Sequence, residues 1–182
     1  VHFHTLFSKK PFVGATMAIS SHLTLLTGIA GINVYIVRIL KLPFDISLHF
    51  YFFFFVGVII TGILKMFFYS SVGAGFLGTL GSSALLYVSI HWIILGNTIN
   101  IPLLYIQGLL LGFGASMTLV SGSMATLLDG DLKEAAQRSQ TMHTIRNFSA
   151  AMLIPIIAYT IKNHIQKGTQ SIYAENITDK MI

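Results

Sequence analysis

Residues 102–128, PLLYIQGLLLGFGASMTLVSGSMATLL, decide how this chain is to be read. The stretch holds no Asp, Glu, Lys, Arg or His. It also outruns the roughly 20 apolar residues that a helix needs to cross the hydrocarbon of a bilayer. Gly108, Gly112 and Ser116 recur at every fourth position, with Gly114 and Gly122 beside them. In lipid, helices gain little by burying apolar area against one another, so close backbone approach must hold them together, and small residues permit it. Helix packing is therefore the first reading of these glycines, and a gating role for Gly108, Gly112 and Gly114 is the second. Gln107, Thr118, Ser121 and Ser123 give the same segment a polar side.

Four further segments have the same character. They are expected at about 12–37, 46–66, 72–95 and 141–161, which makes an all-α bundle of five transmembrane helices in one domain, 1–182. The composition agrees: 54% of the 182 residues are hydrophobic and only 9% charged, where a soluble domain carries about a quarter. The net charge of +5 does not point to nucleic acid, because the 11 basic residues lie at the ends of apolar runs and are not gathered on one face. With no cysteine there is no disulfide scaffold. The run Phe50–Phe55 reads as lipid-facing bulk, and the tail 164–182 reads as polar loop. Between the fourth and fifth segments lies the one dense charge cluster, Asp129, Asp131, Lys133, Glu134 and Arg138, a short solvated stretch helical in propensity after Gly130.

An ionisable group inside a membrane span is costly and is a functional-site hypothesis by default. His22 falls near the middle of the first span, with Asn33 about three turns on. His49 and His91 fall near span ends and read as interfacial. His143, Arg146 and Asn147 are spaced i, i+3, i+4, on one face at the start of the fifth span. Arg146 is expected to snorkel to phosphate or to pair with Asp129, Asp131 or Glu134, or else to stand in a translocation path. No two histidines of the spans stand i, i+3 or i, i+4 apart, as membrane di-iron sites need, and HExxH, P-loop and GxSxG patterns are missing from the sequence. No catalytic residue, metal or cofactor is expected, and the chain does not read as an enzyme.

The segment GLLLGFGASMTLVSGSMATLLDGDLKEAAQRSQTMHTIRNFSAAMLIPIIAYTI, 108–161, resembles the C-terminal half of major facilitator superfamily transporters, most nearly their fourteen-span multidrug-efflux branch. Gly112 and Gly114, the loop at Asp129–Asp131, Ala135-Ala136 and Arg146 stand where that branch carries its glycine stretch, short loop, Ala/Ser-rich stretch and arginine. HTLFSKKPFVGA, 4–15, resembles the basic, Pro-containing lead into one of its spans. Lys65–Gly73 departs from the family's G-x-x-x-D-R-x-G loop, keeping only a basic residue and a glycine. The resemblance implies ion-coupled export of a small molecule by alternating access, with a proton as coupling ion, in a bacterial inner or plasma membrane.

On that reading His22, Asn33 and Gln107 are the substrate-binding candidates. Gly108, Gly112 and Gly114 permit close packing or rocking, and Asp129, Asp131 and Arg146 form a gate or latch. A half of this family has six helices, so five spans and a start at Val1 predict a piece of a longer polypeptide whose N-terminal half is missing. The expected partners are the lipid bilayer, the substrate and that missing half. The alternative is a structural or assembly subunit of a larger membrane complex, complete at five spans and held by partner membrane subunits.

Overall fold

The computed structural model describes residues 9–95, 100–128 and 131–178. Among these there are helices and no strand. Helix α1 is Lys9–Asn33, continued by a π-helical segment, Val34–Ile39; α2 is Phe44–Leu95; α3 is Ile101–Leu128; a 3-10 turn, Leu132–Glu134, leads into α4, Ala135–Thr178. Four runs are long and apolar enough to cross a membrane: Lys10–Arg38, Phe44–Ile94, Ile101–Leu128 and Leu132–Gln170.

Five spans are expected from the sequence and four such helices are present, because the second and third are joined in α2. Residues 65–72 contain no proline and no turn-forming pair, so nothing stops the helix before Gly73. Gly73 alone leaves helical geometry, at φ 82° and ψ 164°, a backbone region open to glycine and hostile to side chains. One residue is enough to fold the chain back. In a straight helix Phe50 and Trp92 would lie about 63 Å apart; their ring centroids are 6.5 Å apart. α2 is thus a hairpin, with a first arm at 44–72 and a second at 74–95.

Both arms pack on α3 through positions spaced alternately three and four residues apart, the signature of a narrow helical stripe. On the first arm Ser47, Phe50, Phe54, Gly57 and Thr61 are buried; on the second, Gly78, Gly81, Leu85 and Val88. The aromatic run therefore does not face lipid as a block. Phe50 and Phe54 are buried against Gly108 and Gly112, whereas Phe52 and Phe55 are exposed. A 100° step per residue turns neighbours to different sides, whatever their chemistry.

α3 is the axis of the bundle, and its glycines point to three different neighbours. A Cβ on Gly112 would meet the Phe54 carbonyl of the first arm, and one on Gly114 would lie 2.8 Å from the Gly81 carbonyl of the second. On Gly122 it would lie 2.6 Å from the Gly14 carbonyl of α1. Polar groups reinforce these contacts. Ser21 Oγ donates to the Ala115 carbonyl at 3.0 Å, Thr61 Oγ1 to the Phe113 carbonyl at 3.2 Å, and Lys65 Nζ to Ser121 Oγ at 3.0 Å.

α4 is peripheral. Met142 packs against Ala15 and Ala18 of α1, with Ile145 alongside, but Phe148, Met152, Ile154, Ile156 and Tyr159 are exposed. Past Pro155, which cannot donate to the helix ladder, α4 and α1 are separated by an apolar cleft of about 680 Å³ around Ile29, Ala30, Ile157 and Ala158. The tail expected as loop is helical to Thr178. It contains no proline, and its one glycine, Gly168, is a cost the helix tolerates.

Candidate functional site

Three helices line a half-open cavity of about 620 Å³: α1 supplies Thr24, Thr27, Gly28 and Gly31, the second arm of α2 supplies Val88, Ser89 and Trp92, and α3 supplies Leu104, Gln107 and Leu111. Leu153 of α4 reaches its edge. Gly28 and Gly31 open the α1 wall, since a Cβ on Gly31 would meet nothing within 4 Å and one on Gly28 only the ends of Leu111 and Trp92. The hydroxyls of Thr24 and Thr27 are turned back onto their own helix, donating to the Ser20 and Leu23 carbonyls at 2.9 Å each. Those walls are therefore less polar than their sequence suggests.

Two of the polar groups that line the cavity, Gln107 and Trp92, belong to one hydrogen-bonded chain. Trp92 Nε1 donates to Gln107 Oε1 at 2.6 Å. An indole N–H can only donate, so it fixes which end of the Gln107 amide is oxygen. The opposite end, Nε2, meets His91 Nδ1 at 2.5 Å. With the amide oriented by Trp92, Nε2 donates and His91 Nδ1 accepts, leaving the ring proton on Nε2. His91 also stacks on Tyr87, with centroids 5.7 Å apart. A buried amide held at both ends is a fixed polar point in an apolar chamber, the usual arrangement for orienting a small apolar ligand that carries one or two hydrogen-bonding groups.

Of the expected substrate-binding residues, Gln107 lines this cavity and is 3% exposed. His22 and Asn33 are not among its lining residues. His22 faces α4 near Arg146, and Asn33 is an exposed residue at the end of α1 beside the Tyr51 hydroxyl. Gly108, Gly112 and Gly114 lie at helix contacts away from the chamber. His91, half-buried near the end of the second arm, meets Gln107 there.

The charged loop is organised by a residue the sequence did not single out. Arg138, 1% exposed, donates from Nε to the Thr126 carbonyl at 3.0 Å and from Nη2 to the Leu127 carbonyl at 3.0 Å. Its Nη1 donates to the Asp131 carbonyl at 2.7 Å. The last carbonyls of α3 lack helical partners and carry the negative end of its dipole, so a guanidinium there satisfies both. Asp131 caps the 3-10 turn, accepting from the Lys133 N–H at 3.0 Å. Asp129 lies outside the described residues. The loop expected to hold Arg146 is held by Arg138. Arg146, two turns further along α4, makes no hydrogen bond or ion pair among the described residues, and its Nε is buried without a partner.

No group of three or more His, Asp and Glu side chains that could hold a metal ion is present among the described residues. Comparison with protein-family models, with curated proteins and with solved structures gives no match.

Proposed function

We propose that this chain crosses a bacterial inner or plasma membrane five times and forms part of a secondary active transporter of the major facilitator type, exporting a small molecule by ion-coupled alternating access. The observation that carries this reading is the cavity of about 620 Å³ with the buried Gln107 at its wall, set between helices that are themselves apolar outward. Ile93, Met66, Phe67 and Phe76 are exposed to the surroundings, an apolar surface suited to lipid. Each arm of α2 is long enough to cross once, the first with 29 positions (44–72) and the second with 22 (74–95).

In secondary transporters the substrate site lies near the midplane, and rigid helix groups rock about it. The tight glycine contacts of α3 with both arms of α2 and with α1 suit such a rigid group. The test is gradient-driven loss of a panel of fluorescent amphiphiles from cells expressing the protein. Expected is extrusion that collapses with an uncoupler and is lost in Gln107→Leu. Extrusion indifferent to the gradient, or unchanged in Gln107→Leu, overturns the reading.

The exposed apolar face of α4 favours a second reading, an assembly subunit that covers this face with a partner. A stoichiometric membrane partner retained in mild detergent, with no gradient-dependent flux, would select it.

A further inference from the structure

Arg146 presents a problem that the cavity does not solve. Ser21, the neighbour of His22, bonds to Ala115, which lies in the middle of α3 (Ile101–Leu128). Ile145, the neighbour of Arg146, packs in the cluster formed by Ala15, Ala18, Ile19, Leu119 and Met142. The guanidinium therefore sits between α1 and α4 at about the mid-depth of the bundle, where both His22 and His143 feel its charge. Arginine does not give up its proton in proteins. A charge at this depth calls for a counter-charge or a cavity.

Among the described residues no carboxylate pairs with Arg146. The chain's six acidic residues are Asp45, Asp129, Asp131, Glu134, Glu175 and Asp179. None belongs to α1 or α3, and the nearest to Arg146 along the chain, Glu134 in the 3-10 turn before α4, precedes it by more than three turns, about 18 Å along the axis. His143, three residues before Arg146 and so on the same side of α4, adds a donor at the exposed edge. Arg146 is thus a half-buried permanent cation beside α1, with a buried Nε left open.

We propose that Arg146, assisted by His22 and His143, binds the oxyanion, carboxylate or phosphate, of a small organic molecule at mid-depth between α1 and α4. Guanidinium matches such a planar or tetrahedral oxyanion with paired, charge-assisted hydrogen bonds. A lipid headgroup is a poor candidate, because it lies at the membrane interface, about 15 Å from the centre of the hydrocarbon. The site is separate from the Gln107 cavity and does not rest on the chain being a transporter.

The test is equilibrium binding to the purified protein in nanodiscs of zwitterionic lipid, with benzoate and phenyl phosphate as probes and neutral benzamide as the control. Expected is saturable binding of at least one anion and none of benzamide. Arg146→Gln should weaken the anion on the order of tenfold or more. Arg146→Lys should retain part of the affinity, and Lys162→Gln, exposed on α4 more than four turns further on, should leave it unchanged. Should Arg146→Gln not fold, the wild type suffices: the bound anion slows modification of Arg146 by phenylglyoxal, read by mass spectrometry. Undiminished binding in Arg146→Gln, equal binding of benzamide, or modification unaffected by the anions overturns the proposal. So does an Arg146 that resists phenylglyoxal before any probe is added, which would place a polypeptide carboxylate on it.

Discussion

Helices α3 and α4 both carry long apolar runs, yet the structure uses them in opposite ways. In the most apolar eighteen-residue stretch of α3, 50% of the residues are buried; in that of α4, 6%. Hydropathy does not explain the difference. α3 carries Gly108, Gly112, Gly114 and Gly122, each at a backbone-to-backbone approach, and α4 carries only Gly168, with nothing within 4 Å of its Cβ position. Where water is not being expelled, apolar residues do not choose a neighbour, and the positions without side chains do. The second difference lies in how each is anchored: α3 by close contact on three sides, α4 chiefly by Met142 against α1 and by Arg138, which reaches back to the end of α3.

The sharpest way to break this comparison is to add one methyl group to each helix. In Gly112→Ala the new Cβ meets the Phe54 carbonyl, a backbone atom that cannot swing aside. A loss of about 3 kcal/mol is expected in unfolding titrated with a denaturing detergent. Gly168→Ala meets open space and should raise stability by about 0.5–1 kcal/mol. Equal effects at the two sites would refute the account of α3.

Next in size is Arg138→Ala, which strips three carbonyls at the junction of α3 and α4 of their donor. A cost of about 2–3 kcal/mol is expected, with proteolysis between the two helices accelerated. Arg138→Lys should recover less than half, because an ammonium cannot span three carbonyls with the geometry of a guanidinium. Retention of full stability by Arg138→Ala would mean that α4 is anchored elsewhere.

The smallest effect concerns the hairpin that flanks α3. Gly73→Ala places a side chain at φ 82° with nothing within 4 Å, so only backbone strain is added, about 1–2 kcal/mol. Gly75→Ala, two residues on in helical geometry and also open, should be neutral or slightly stabilising. A reversal of that order would remove Gly73 as the turning point.

What could be read from the sequence divides along the same physical line. Helical segments followed from length and apolarity, and the packing role of the α3 glycines from their spacing, because both depend on properties local to one helix. The faces did not follow. Phe50–Phe55 is uniform in composition, and only the position of Gly108 and Gly112 on another helix turns Phe50 and Phe54 inward. Gln107 is legible in the sequence as a polar binding candidate, but its partners His91 and Trp92 are brought to it only by the α2 hairpin. Arg146 drew attention as the arginine inside a span. Arg138 looked like one charge among five, although an arginine in the second turn after a short loop is within reach of the preceding helix end. The polarity of the tail suggests a loop, yet it holds no proline and only one glycine, and the helix runs on to Thr178.

The central claim is that α2 turns back at Gly73, which brings His91 and Trp92 of its second arm onto Gln107. The chain has no cysteine, so single cysteines introduced at Lys41, Gly75, Ile101 and Lys133 can be labelled in intact cells with a membrane-impermeant maleimide. The account predicts that positions 41 and 101 react from one side of the membrane and positions 75 and 133 from the other. Labelling of 41 and 101 from opposite sides would mean that α2 crosses only once, and the hairpin and its cavity would fall with it.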